Sequence, residues 1–186
     1  MTDDQLEQLR LDVQLLKDRA AILEVVSRHA RGCDRHDADL LTSTYHVDGF
    51  DEHGGVTNPG PEYAAFINGV HAATSRAHSH NITTHTCEID GNTAHAETYA
   101  LVALLAPDAG NTTVMSGRYL DRLEKRDGTW RISARRTTVD LVLSGSAALL
   151  EHPGFRAQGY PHGTRDRNDP SYARPLYLHD PAGPVW

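Results

Sequence analysis

Residues 82–143 read ITTHTCEIDGNTAHAETYALVALLAPDAGNTTVMSGRYLDRLEKRDGTWRISARRTTVDLVL. Four segments within this stretch, 82–89, 93–105, 112–123 and 130–143, are rich in β-branched residues and alternate apolar with polar side chains. That period of two is the pattern of strands with one buried face. The breaks are Asp90-Gly91-Asn92, Pro107-Asp108-Ala109-Gly110-Asn111 and Arg126-Asp127-Gly128. Each holds a residue that takes positive φ readily, as hairpin turns demand. The second half of the chain is therefore expected to be an antiparallel sheet.

Upstream the period changes. From residue 4 to about residue 30, Leu6, Leu9, Val13, Leu16, Ile22, Val25 and Val26 recur at helical spacing, with Glu7, Arg10, Lys17 and Asp18 on the other face. Gly32 weakens this helix near its end. Asp37 can cap a second, short helix through Leu40, Leu41 and Tyr45. A third is expected to begin at Pro61 after Gly60, carry Tyr63, Phe66, Ile67 and Val70 inward, and end near Thr74. A short strand over 49–51 can precede it. Helices followed by antiparallel strands predict an α+β domain, with helices packed on one face of a curved sheet. Residues 1–144 read as that domain. Residues 145–186 start with a helical turn and continue as an irregular tail rich in Pro, Gly, Arg and Asp, packing on the domain or on a neighbouring subunit.

The chain has 186 residues, enough to bury a core with an internal cavity. Its 18 basic and 25 acidic residues give a net charge of −7, without a basic run, which argues against nucleic acid as a partner. Mean hydropathy is −0.51 and no apolar stretch approaches the length of a membrane span. The opening MTDDQLEQLR is acidic where a signal peptide is basic and then greasy, so a cytoplasmic location is expected. Cys33 and Cys87 make neither a disulfide framework nor a zinc motif.

Twelve histidines are many for this length. Asp34 sits where the long helix runs out; it either caps the next helix, pairs with Arg35, or points into the cavity, and Asp37 is the better cap. In Ala77-His78-Ser79-His80-Asn81-Ile82, strand alternation puts His78, His80 and Ile82 on one face. A histidine there, close to a carboxylate, has the makings of a general base. His78 and His80, with His85, Glu88 and His95, could suggest a metal. However, His85 has the wrong parity without a bulge and no carboxylate completes a familiar triad, so a solvated strand face is the better reading and no metal is expected. Tyr45, Asp48, Tyr99 and Arg135 are polar residues in otherwise apolar elements. Arg135 either binds an anionic or oxygen-bearing ligand or pairs with Asp140 or Glu97. Cys33 reads as packing, not as a nucleophile.

Taken together, the long helix, Cys33-Asp34-Arg35-His36-Asp37, Asp48, Gly60-Pro61-Glu62, His80, Ile89-Asp90-Gly91-Asn92, Gly117-Arg118-Tyr119, Asp121-Arg122 and Asp127-Gly128-Thr129-Trp130-Arg131-Ile132 resemble the SnoaL-like division of the nuclear transport factor two-like superfamily. The resemblance runs from about residue 5 to residue 143. It implies a cone-shaped, curved antiparallel sheet wrapped by N-terminal helices and enclosing an apolar pocket. The dehydratase and dehydrochlorinase branch uses an Asp–His pair, and its positions fall on Asp34 and His80. Where some dehydratases of the family carry a second acid, this chain has the apolar run Ala100-Leu101-Val102-Ala103-Leu104-Leu105. The pocket would then resemble the dehydrochlorinase arrangement.

The expected function is that of a cofactor-independent lyase, eliminating water, or less readily HX, from a hydrophobic hydroxylated ring compound of steroid or polyketide kind. His80 is the base, Asp34 its partner, and Tyr45, Tyr99, Arg135 and Phe66 contact the substrate. An isomerase or cyclase using the same base, a non-catalytic ligand-binding module, and an oxygenase small subunit are the alternatives. The resemblance also implies a homo-oligomer, a trimer before a dimer.

Overall fold

A computed structural model of the chain describes residues 1–178 and 183–186; the expected tail thus includes four residues, 179–182, that lie outside the described residues. Helix α1 spans Asp3–Asp34 and opens with a reciprocal cap: the Thr2 hydroxyl accepts from the Gln5 backbone N–H, and the Gln5 side chain accepts from that of Thr2. It continues through Gly32 because α2 (Ala38–Thr42) crosses so closely that a Cβ at that glycine would meet the Leu41 Cβ at 2.9 Å. Asp37 caps α2 through the Leu40 N–H, as the sequence indicates. Helix α3 spans Gly60–Thr74.

The strands are β1 (Tyr45–His53), β2 (Val56–Pro59), β3 (Ala77–Asp90), β4 (Thr93–Leu105), β5 (Asn111–Arg126) and β6 (Thr129–Ser146), forming one curved, open sheet in the order β2-β1-β6-β5-β4-β3. The sheet is mixed, which corrects the all-antiparallel expectation: β1 runs parallel to β6. No hairpin ties those two strands together. Everything from β2 to β5 lies between them as a long crossover, and only a crossover permits a parallel pair. The hairpin turns fall where expected, with Asp127 and Gly128 both at positive φ. Strand β3 begins five residues before its apolar alternation does, because 77–81 alternate His with Ser and Asn instead of apolar with polar, yet pair with 101–105.

The core gathers Ile22, Cys33, Leu41, Tyr63, Ile67, Leu123 and Ile132 between the helices and the concave face of the sheet. Asp18 pins α1 to the β5–β6 hairpin: it accepts from the Lys125 ammonium and from the Trp130 indole, each at 2.7 Å. The buried face of α1 therefore starts at Asp18, which the periodicity had placed outside. Leu6, Leu9, Val13 and Leu16 are exposed, and so is Val70 of α3. Among the described residues, no helix is long and apolar enough to cross a membrane.

Candidate active site

Asp34 ends α1 with its carboxylate aimed at β3. It accepts the His80 backbone N–H on both oxygens, each at 3.0 Å, and the His80 ring Nδ1 at 2.7 Å. A carboxylate in this role can only accept, so Nδ1 carries a proton, and in the neutral ring the lone pair is then on Nε2. The double backbone contact fixes the carboxylate as well as the ring. His80 is 7% exposed in its side chain and forms part of the wall of a cavity of about 80 Å³ inside the cone. Much of the remaining wall is apolar: Ala100, Val102 and Leu104 of β4, Met115 of β5 and Val139 of β6.

Two further histidines, His53 and His71, reach the same cavity. His53 stands at the end of a buried polar chain. The Tyr45 hydroxyl donates to Asp51 Oδ2 at 2.5 Å and accepts from His29 Nε2 at 3.1 Å. The other Asp51 oxygen is buried without a hydrogen bond and lies 3.7 Å from His53 Nδ1, which also meets the Tyr63 hydroxyl at 3.3 Å. This is a second Asp–His pair facing the cavity, supplied by β1. His71 is buried on α3, and burial together with the neighbouring His78 and His80 pulls its pKa down to about 2. Thr137 adds a buried hydroxyl with no partner among the described residues.

The expected substrate contacts lie elsewhere. Tyr45 is buried below the cavity in the chain just described, and Phe66 packs half-buried on the core. Tyr99 points outward from β4, with the Arg118 guanidinium 5.9 Å from its ring centre; Arg118 itself takes up Glu97 and Asp140. Arg135 faces inward, yet its charge is spent on Asp121, with two 2.7 Å bonds between fully buried side chains and the Tyr119 ring 4.1 Å away. None of the four lines the cavity. Asp48 is an exposed partner of Arg126. Cys33 is buried, and burial with the nearby Asp34 charge raises its thiol pKa, as befits packing.

Sequence reasoning missed His53 and His71, although each carried a signal. Asp51-x-His53 is a same-face pair in a strand, and His71 continues the Tyr63, Ile67 stripe of α3 at a spacing of four. A bulge between Ile82 and His85 does restore His85 to the inner face, where it bonds Thr98 Oγ1 at 2.8 Å. Among the described residues, two groups have ligand atoms within 4.8 Å of one another and could hold a metal ion: His36, His71 and His78, and Asp34, His78 and His80. His78 Nε2 donates to the Cys33 carbonyl at 3.0 Å, and the positive charge of Arg165 acts on His36, His71 and His78 alike.

A larger depression of about 580 Å³ lies away from the dyad, with Glu52, Glu88, Glu97, Arg122 and Arg136 in its wall. Its charged rim does not suit an apolar ligand, whereas the smaller cavity holds His80 and His53.

The family model for the SnoaL-like domain matches residues 14–136, well over half of the chain. The chain belongs to the SnoaL-like family. A search of curated sequences returns no match to it. Among solved structures, this SnoaL-like chain is similar to a hexachlorocyclohexane dehydrochlorinase from Novosphingobium barchaimii (TM-score 0.67, 23% identity, covering 72% of this chain and 94% of that one). It is also similar to a candidate scytalone dehydratase from Novosphingobium aromaticivorans (TM-score 0.63, 18% identity, 72% and 90%). A protein of unknown function from Mycobacterium tuberculosis shares 27% identity (TM-score 0.61, 70% and 75%). The SnoaL-like fold thus carries over, with N-terminal helices against a six-stranded, curved, unclosed sheet.

Proposed function

We propose that the protein is a cofactor-independent lyase that eliminates water from a hydrophobic hydroxylated ring compound. The observation that carries this reading is the 2.7 Å Asp34–His80 bond at a cavity whose β4 wall, Ala100, Val102 and Leu104, is apolar. Elimination needs a base aimed at a C–H bond and an acid for the departing oxygen. His80 Nε2 takes the proton while Asp34 stabilises the imidazolium that forms. The electron pair of the broken C–H bond becomes the new C=C bond as the C–O bond breaks. His53, backed by Asp51 and Tyr63, donates a proton to the departing hydroxide, so water leaves. Thr137 is placed to hold a substrate oxygen. The dehydrochlorinase and dehydratase relatives support this reaction type.

At about 80 Å³ the cavity is small beside the roughly 300–1,000 Å³ of ligand pockets, so on this reading the cone opens to admit a ring substrate, and furthest for a steroid or polycyclic polyketide. The chain acts as a homo-oligomer on this reading.

The test is a panel of one- and two-ring β-hydroxy ketones, followed by the ultraviolet absorbance of the conjugated enone. His80→Ala and Asp34→Asn each lower turnover by at least about a hundredfold while product analogues still bind. Turnover that survives both changes overturns the dyad. Retention of the hydroxyl with a shifted double bond would assign an isomerase instead.

A further inference from the structure

The first half of α1 projects beyond the domain body and carries an apolar seam that nothing in the chain covers. Leu6, Leu9, Val13, Leu16, Ala20 and Leu23 are spaced alternately three and four residues apart, and all six are exposed, Leu16 by 65%. This is the a–d repeat of a coiled coil, sustained over three heptads with Leu6 at a. Of the residues that dock α1 on the sheet, Asp18, Ile22, Val25 and His29 fall at f, c, f and c of the same register, and Val26, just past the last seam residue, at g. The domain body therefore sits on the side of the helix opposite the seam and leaves it open to a partner. A lone helical arm exposing a continuous leucine stripe is marginal in water, and contiguous apolar stripes of this kind mark interfaces.

We propose that α1 forms a parallel two-stranded coiled coil with α1 of a second copy of this chain. The flanking charges select that partner and that direction. In a parallel pair each g position faces the e position five residues on in the other helix. Asp12 then meets Lys17 of the second copy, and Arg19 meets Glu24. All four residues are exposed, and none takes part in an ion pair within the chain among the described residues. An antiparallel pair would bring e against e and g against g, so the repulsion of Arg10 and Lys17 would offset the attraction of Asp12 and Arg19, whereas the parallel pair has both of its charged contacts attractive. Leu at every d position with Val13 at the central a position favours two strands, in place of the three-fold assembly that the family resemblance implies.

This assembly does not depend on the chemistry assigned to the dyad. Sedimentation velocity of the full chain is expected to give a dimer. The double variant Leu9→Glu, Leu16→Glu is expected to weaken association at least a hundredfold and yield a monomer whose near-ultraviolet circular dichroism is unchanged, since both side chains lie off the core. A Leu16→Cys chain should cross-link to itself on mild oxidation, because d faces d in a parallel pair; the natural Cys33 and Cys87 are buried. A monomeric natural chain, an oligomer indifferent to the double variant, a mass of three chains, or a dimer that fails to cross-link would each overturn the proposal.

Discussion

On the proposed reading His53 supplies from β1 the acid that the apolar β4 lacks. Its ring is held from behind, with Asp51 3.7 Å and the Tyr63 hydroxyl 3.3 Å from Nδ1. The expected outcome of His53→Gln is therefore selective. Elimination of hydroxide, which needs a proton, should slow by about a hundredfold, whereas elimination of chloride from the matching β-chloro ketone should change little, because chloride leaves unaided. Comparing the two substrates at saturation separates this role from a structural one, since a distorted cavity would slow both. A legible clue to His53 existed, but Asp51 and His53 sit in a strand whose sequence, Tyr45-His46-Val47-Asp48-Gly49-Phe50-Asp51-Glu52-His53, has no clean alternation. The register of β1 against β6 shifts between Tyr45 and Phe50, and that irregularity erases the period on which a strand reading depends. Asp34 and His80 stand out at the end of a helix and the entry to a strand, but it is the family resemblance that pairs them.

At the scale of elements, β5 and β6 are held together inside the cone by the Arg135–Asp121 pair as well as by their ladder. Both side chains are fully buried, and Arg135 Nη1 has no hydrogen-bond partner among the described residues. Such a pair is costly to break and contributes little net stability as a unit, because its attraction mostly offsets the cost of dehydrating two charges. Arg135→Met alone should therefore destabilise the fold by about 3–5 kcal/mol by leaving Asp121 charged and unpaired. Adding Asp121→Leu should recover most of that loss. Urea unfolding of the single and double variants checks this, and a double variant no more stable than the single would show that the pair matters for more than its charge. Strand alternation puts only one of Arg135 and Arg136 inside the sheet, and the sequence offers Asp140 or Glu97 as the partner of Arg135 where the structure has Asp121. The partner depends on register, and Asp121↔Arg135 holds because a bulge between Arg122 and Leu123 slips one residue of β6, Ser133, relative to the hairpin. At the second bulge, between Ser116 and Gly117, Gly117 makes room, since a Cβ would come within 2.0 Å of the Thr138 carbonyl oxygen. Turns announce themselves by Gly, Asn and Asp; bulges inside strands, and the parallel β1–β6 pairing, leave no comparable mark.

Across the whole molecule, two effects of acid oppose each other, so the sign of the pH dependence is informative. The chain carries −7 at neutral pH, and protonating its exposed histidines reduces that charge and the repulsion it causes. Surface charge alone would thus make the protein slightly more stable as pH falls below 7. The buried histidines work the other way. Burial lowers His71 to about 2 and His78 to about 4 from an ordinary 6.5, with Arg165 and His80 acting in the same sense on both and Asp34 partly countering this at His78. The unfolded chain binds protons at these sites near 6.5 while the folded chain does not, so the stability they contribute is complete above 6.5 and declines as pH falls, down to about 4 for His78 and to about 2 for His71. By pH 5 each site should remove about 2 kcal/mol and the two together about 4 kcal/mol, which exceeds the relief of surface repulsion. A second loss sets in below pH 4. Burial works against the charged forms of Asp18 and Asp169, but bonds from Lys125 and Trp130 to the first, and from Ser171, Thr164 and Arg35 to the second, hold both carboxyls below their ordinary range. Calorimetry from pH 8 to pH 3 should therefore show the melting temperature falling in two stages, the upper one shallower in His78→Gln. A melting temperature that rises between pH 7 and pH 5 would mean that surface charge governs and that His71 and His78 accept protons without loss of the fold.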